Sequence, residues 1–219
     1  MIRNSRKKMK DVAYSAIRDK ILSGELAPGT NIVEGSMAKE LGISRTPVRE
    51  AIVMLEADGF IQVYPNKGPM VPGLSVQDLI WITQIREGLE AIAARIACDM
   101  PDKSKLIELR GKLLSLDNLK DETQKELGFK YGRKIHAIII NSTGNRRMIR
   151  ILENMRLQLH RLMILSRLAP QRAEVAFEQH ISILNAVIEG DHDEAERSIR
   201  NHIRSVTNDA IKVFQQEYI

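Results

Sequence analysis

Residues 44–52 read SRTPVREAI, and this stretch decides the first half of the fold. It sets Arg45 and Arg49 four positions apart, so a helix carries both guanidiniums on one face. Like charges on neighbouring turns repel, and the pair therefore implies a negative surface for it to face. Val48, Ile52 and Leu55 fall on the opposite side as an apolar stripe. Ser44 is a good N-cap residue, and Pro47 lies in the first turn, where its missing N–H costs nothing.

Upstream of it, GSMAKEL forms a second short helix closed by Gly42. Tyr14, Ile17 and Ile21 keep helical spacing in a first helix that SGELAPGT ends. Downstream, FIQVY alternates as a strand, PNKG turns, and PMV returns as its partner. Three helices and a two-stranded wing over residues 11–72 make a winged helix-turn-helix. In such a motif the second helix of the pair enters the major groove with its N-terminal residues at base edges. Arg45 and Arg49 occupy that end, and an arginine fork binds guanine O6 and N7 together, or a phosphate. Ser44 and Thr46 offer hydroxyls to phosphate oxygens, beside the N–H groups of the first turn. Lys67 and Gly68, at the wing tip, suit close approach to the sugar-phosphate edge. The expected partner is double-stranded operator DNA. Glu50 reads as an intradomain ion-pair partner, to Arg18 for example, rather than a base reader.

Residues 1–10 carry Arg3, Arg6, Lys7, Lys8 and Lys10 and no acid. They read as a basic solvated tail, of a kind that also grips phosphates. The formal net charge of +5 permits a polyanionic partner. Aromatics make up 4% of the chain while Leu, Ile, Ala and Met abound, which favours helices over a sheet sandwich. The single cysteine, Cys98, excludes an internal disulfide and fits a reducing compartment. No apolar run approaches the roughly 18 residues of a membrane span. No apolar segment follows the basic start as it would in a secretion signal. The expected location is the cytoplasm, with no membrane partner.

Pro69, Pro72 and Gly73 lead into a linker over 73–76, and residues 77–219 read as helix throughout. Ser75 and Asp78 form a capping box for a long helix reaching about Cys98. Pro101 opens a second, and further helices follow over roughly 122–141, 145–168, 170–189 and 193–216, each with an apolar stripe. The fold class expected is mainly α: the winged motif followed by a compact six-helix bundle. His136, His180 and His202 each lie beside an apolar stripe, so all three can point into one interior. Facing helices build metal sites in this way, and imidazole suits Zn, Ni, Cu or Fe. His160 and His192 read as packing and as a solvated helix start. Asn145 reads as the N-cap of the fourth bundle helix.

LGISRTPVREAI followed by LEADGFIQVYPNKG resembles the winged-helix signature of bacterial GntR-family transcription regulators. The second half resembles the FCD effector domain of the FadR branch, and six helices rather than seven bring it nearest the VanR-like subgroup. The resemblance implies a homodimer on a near-palindromic operator, a repressor whose affinity a small carboxylate effector modulates. It also implies one divalent metal per subunit, such as Zn or Ni, held by an aspartate and three histidines. EQH and NHI, twenty-two residues apart, match two of those positions at His180 and His202. In GRKIHAIIINSTGN, His136 is kept but Gly132 stands where the aspartate belongs. Either three protein ligands leave room for water or an effector carboxylate, or the pocket works without metal, as in the fatty acyl-CoA-binding members. Arg86 occupies a position where family members offer an arginine to a carboxylate; otherwise it pairs with Glu90 on the helix surface. Two other functions compete. One is a metal-responsive regulator with no organic effector. The other is a metal-dependent hydrolase, which the lack of HExxH, G-x-S-x-G and Gly-rich phosphate motifs disfavours.

Overall fold

The computed structural model describes residues 2–217, apart from residues 74 and 168. The chain divides into two compact units, residues 1–75 and 76–219.

The first unit contains α1 (Ile2–Leu22), α2 (Glu34–Leu41), α3 (Arg45–Ala57), β1 (Gln62–Tyr64) and β2 (Gly68–Met70). α1 buries Ala13, Ile17 and Ile21 against α3, which turns Val48, Ala51, Ile52 and Leu55 inward. Tyr14, expected on that stripe, is half-buried, and its hydroxyl donates to Asp58 Oδ2 at 2.7 Å, tying α1 to the end of α3. The turn between α2 and α3 needs one left-handed residue, which Gly42 supplies at φ 65°. Its neighbour Ile43 then donates to Ala38 O at 3.0 Å, closing α2. Ser44 holds the N-cap position of α3 with an extended backbone, but its side chain makes no capping hydrogen bond.

β1 and β2 pair antiparallel, with Gln62 opposite Met70 and Tyr64 opposite Gly68. The turn joining them puts Asn66 at φ 64° and Gly68 at φ 79°, the region asparagine and glycine tolerate best. The loop before α2 pairs edge-on with β2, an addition to the wing that the sequence did not announce. Ile32 N donates to Pro69 O (2.8 Å), Val71 N to Thr30 O (2.9 Å) and Asn31 Nδ2 to Lys67 O (2.8 Å). At the other end the structure also departs from expectation. Residues 2–10 continue α1 rather than forming a separate tail. The physical reason is plain: neither glycine nor proline interrupts the chain before Gly24.

The second unit contains α4 (Val76–Cys98), α5 (Ser104–Leu114), α6 (Glu122–Ser142), α7 (Arg146–Ser166), α8 (Arg172–Glu189) and α9 (His192–Glu217). α4 packs chiefly along α9, and its Ala91, Ala93, Ala94 and Ala97 are fully buried. Thr83 and Thr207 share a buried hydrogen bond of 2.8 Å across the same contact. Leu106 and Leu113 of α5, Ile135 and Ile139 of α6, Leu152 of α7 and Ile183 and Leu184 of α8 complete the core. α5 starts at Ser104, three residues beyond Pro101, where Asp102 Oδ1 accepts from the Ser104 N–H at 2.9 Å. Asn145 caps α7 as expected, its Oδ1 accepting from Arg147 N and Met148 N.

Candidate functional site

Two groups of residues concentrate chemistry, one in each unit. On α3, Ser44, Arg45, Thr46 and Arg49 are all exposed, on the side away from Val48, Ile52 and Leu55. Arg49 is not free in solvent. Its Nε and Nη2 donate to the two carboxylate oxygens of Glu34 on α2, each at 2.8 Å. The hydrogen bond from Arg49 pulls the Glu34 carboxyl below its ordinary range, with a smaller contribution from the charge on Arg45. Gly35 lies beneath the Arg45 guanidinium: a Cβ there would sit 3.4 Å from Nη2 and 3.6 Å from Cζ. In the wing, Lys67 is exposed and its carbonyl is pinned by Asn31, while Gly68 is half-buried.

In the second unit, α6, α8 and α9 bring His136, His180 and His202 together. All three are buried, and one ligand atom from each lies within 4.8 Å of the others. The rings of His180 and His202 are 4.5 Å apart between centroids, and His136 lies 5.0 Å from His202 and 5.6 Å from His180. Burial, with the charges of the neighbouring histidines and arginines, drops the basicity of His180 and His202 well below the ordinary value. Both are therefore neutral and hold a lone pair.

Two hydrogen bonds decide which ring nitrogen of His136 and of His202 is left to face a ligand. His136 Nδ1 lies 2.7 Å from Glu90 Oε2, and Glu90 Oε1 accepts from Arg86 Nε at 2.7 Å. Burial alone would raise the Glu90 carboxyl, but the charges and hydrogen bonds of Arg86 and His136 hold it at about 2. An ionised carboxylate only accepts, so the His136 Nδ1 donates, and Nε2 is the nitrogen left to face a ligand. His202 Nδ1 lies 2.9 Å from Gln179 Oε1, the atom that also accepts from Arg172 Nη2 at 3.3 Å. Arginine cannot accept, which fixes that atom as oxygen and leaves His202 Nε2 as the lone-pair nitrogen. Partners of this sort orient metal-binding imidazoles. Three imidazoles converging on one point fit a borderline divalent ion such as Zn or Ni.

Gly132 is the place where a fourth protein ligand could have come from α6. A Cβ at that position would lie 2.3 Å from His180 Cε1, so the ring fills the space a side chain would need. A cavity of about 70 Å³ adjoins the histidines, with Arg86, Glu90 and Arg172 also in its wall. That is room for a few waters or a small ligand's polar end. Arg86 does pair with Glu90 at the i,i+4 spacing, but inside the protein, with side chains 7% and 2% exposed, not on its surface. Arg172, 2% exposed at its side chain, bonds Ser205 Oγ (2.9 Å), Asp209 Oδ2 (3.0 Å) and Gln179. His160 is exposed, and His192 meets Asp99 Oδ1 at 2.9 Å, away from the cluster.

Sequence reasoning did not mark Glu34, Glu90, Gln179 or Arg172 as site residues. The first three left a trace: Glu34 begins the helix before the recognition helix, Glu90 follows Arg86 by one turn, and Gln179 adjoins His180. Arg172 left none.

Comparison with known proteins agrees with both halves of this description. Residues 9–71 match the gntR family of bacterial regulatory proteins, and residues 82–205 match the FCD domain. The HTH-type transcriptional regulator YdhC of Bacillus subtilis is 27% identical over 190 residues, covering 86% of this chain and 85% of its own. The HTH-type transcriptional repressor RspR of Escherichia coli K12 is 26% identical over 204 residues, covering 93% and 89%. Among solved structures, E. coli McbR/YncC superposes with a TM-score of 0.72 over 95% of this chain and 98% of its own, at 21% identity, a likeness of fold. These relatives are transcription regulators and not enzymes, which removes the hydrolase reading. The chain belongs to the GntR family of bacterial transcription regulators, in the branch that carries an FCD domain.

Proposed function

We propose that this regulator is a repressor acting in the cytoplasm. It binds double-stranded operator DNA as a homodimer, and a small carboxylate held in the histidine pocket modulates its operator affinity. The observation that carries the ligand half is the convergence of three buried histidines within 4.8 Å, two of them with Nδ1 already committed to an acceptor. His136, His180 and His202 would hold one divalent ion per subunit. When bound, that ion supplies a double positive charge that no carboxylate among its protein ligands offsets. Glu90 already neutralises Arg86, so an effector carboxylate finds a closed pair there rather than a lone cation. An anion completing the histidine set is the better complement, with the Arg86–Glu90 pair shaping the wall. Effector binding then biases two states of the protein by its differential affinity for them, and DNA affinity shifts accordingly.

The DNA half rests on the exposed arginines of α3, with Ser44, Thr46, Lys67 and Gly68 as phosphate contacts. A homodimer is supported by α4, where Trp81, Ile85, Ile92 and Ile96 are 57%, 48%, 50% and 40% exposed along one face. Gly88 lies mid-stripe with open space where its Cβ would be, which allows a second helix to come close.

Elemental analysis of untagged protein purified without chelator, paired with His180→Ala, tests the pocket. The expected result is close to one metal per chain, lost in the variant, with small carboxylates shifting DNA affinity only in metal-loaded protein. Release of DNA by chelation alone would favour the metal-responsive alternative. No metal in either protein would sink both.

A further inference from the structure

The arginine pair of α3 meets a negative group before any DNA arrives, and that group is Glu34. We infer that Glu34 is a positioning residue for base reading: it grips Arg49 by one edge of the guanidinium and leaves the other edge to face a base. The inference rests on the reading of this chain as a sequence-specific DNA-binding protein.

A guanidinium has two edges able to make paired hydrogen bonds, one formed by Nε with Nη2 and one by Nη1 with Nη2. Glu34 occupies the first, through both its oxygens at 2.8 Å. The second edge, with one Nη1 hydrogen and the remaining Nη2 hydrogen, is the one that matches guanine O6 and N7. Stabilising the fold is a poor explanation for the contact, because the Arg49 side chain is 69% exposed and pairs of this kind contribute little. Orientation is the better one. A long side chain held before docking loses less freedom when it docks.

The carboxylate is itself well placed for the task. It sits in the first turn of α2, where the helix dipole favours negative charge, and the nearby arginines keep it ionised. The next residue serves the other arginine. Gly35 leaves open the space over which the Arg45 guanidinium lies, and a side chain longer than a methyl would take that space. The first turn of α2 is thus a shelf that arranges both arginines of α3. A carboxylate so close to the DNA-facing groups also opposes sequence-independent attachment to phosphates, which sharpens the difference between right and wrong sites.

The test uses full-length protein and a duplex enriched from a randomised pool by the wild-type chain. Binding is compared for that duplex, its single base-pair variants and a scrambled duplex, at one salt concentration. Arg49→Ala is expected to lose discrimination at one base pair of each half-site by on the order of tenfold. Glu34→Ala should lose several-fold at that same base pair, Glu34→Gln less, and the double variant no more than Arg49→Ala alone. Affinity of Glu34→Ala for scrambled DNA should hold or rise. Three results would overturn the inference: full discrimination at that base pair in Glu34→Ala, additive losses in the double variant, or equal tightening on selected and scrambled DNA. Thermal melts accompany each variant, and the isosteric Glu34→Gln carries the comparison if Glu34→Ala melts early. Enrichment of no duplex at all would instead overturn the DNA-binding reading itself.

Discussion

Glu90 has one carboxylate oxygen on Arg86 and the other on His136, all three buried in the bundle. Its folded carboxyl titrates at about 2 against an ordinary 4.5, so the unfolded chain takes up the proton first as the pH falls. Its stabilising contribution is therefore complete above pH 4.5 and is lost as the pH falls through about 2. His180 and His202 act earlier. Their basicity is depressed in the fold, so the unfolded chain binds protons there once the pH drops below the ordinary value of 6.5. Without metal, stability is expected to fall in two stages on acidification, the first below 6.5 from the histidines and the second below 4.5 from Glu90. Urea midpoints followed from neutrality into acid will check this: Glu90→Gln should lessen the second stage, to which Glu87 also contributes, and leave the first. The same variant leaves Arg86 buried without its counter-charge, a loss of about 3–5 kcal/mol at neutral pH. At this scale the sequence was half legible. Three histidines beside apolar stripes announced a shared interior. That position 132 must be bare for the His180 ring to fit was invisible, because it depends on contact between two helices far apart in the chain.

Among the elements, α3 was the most legible, because its cap position, proline, apolar stripe and basic face all sit within one short run. The wing was nearly so; its loop partner at residues 30–32 was not, since those hydrogen bonds join backbone groups and depend on no particular side-chain pattern. α1 held the main surprise, a helix running from Ile2 where a basic tail was expected. A rigid basic extension and a loose tail make the same forecast for salt but differ in shape. Deleting residues 1–10 should reduce the salt slope of DNA binding with little change in base preference, since phosphate contacts are sequence-independent. Titrations at several salt concentrations decide it, and an unchanged slope would mean that this end of α1 stays clear of the DNA. The deletion stops short of Ala13, Ile17 and Ile21, so the packing of α1 on α3 should survive it.

At the scale of the whole chain, two units and a mainly helical fold followed from hydrophobic periodicity and from the proline and glycine run near residue 70. Which helix face meets a second copy did not follow. An exposed stripe differs from a buried one only once the rest of the bundle is in place. For the homodimer, Ile92→Glu puts a charge at the middle of the α4 stripe, where Ile92 is 50% exposed, and should leave the bundle core untouched. Sedimentation is expected to show monomer for this variant, with operator binding weakened because two half-sites are no longer engaged together. A dimer of normal strength would move the interface elsewhere. Trp81, the chain's single tryptophan, lies at the start of that stripe and is 57% exposed. Subunit association on α4 would transfer its indole from water to an apolar contact. Its fluorescence emission, with no label attached, then becomes an optical gauge of how many chains are paired as the protein is diluted.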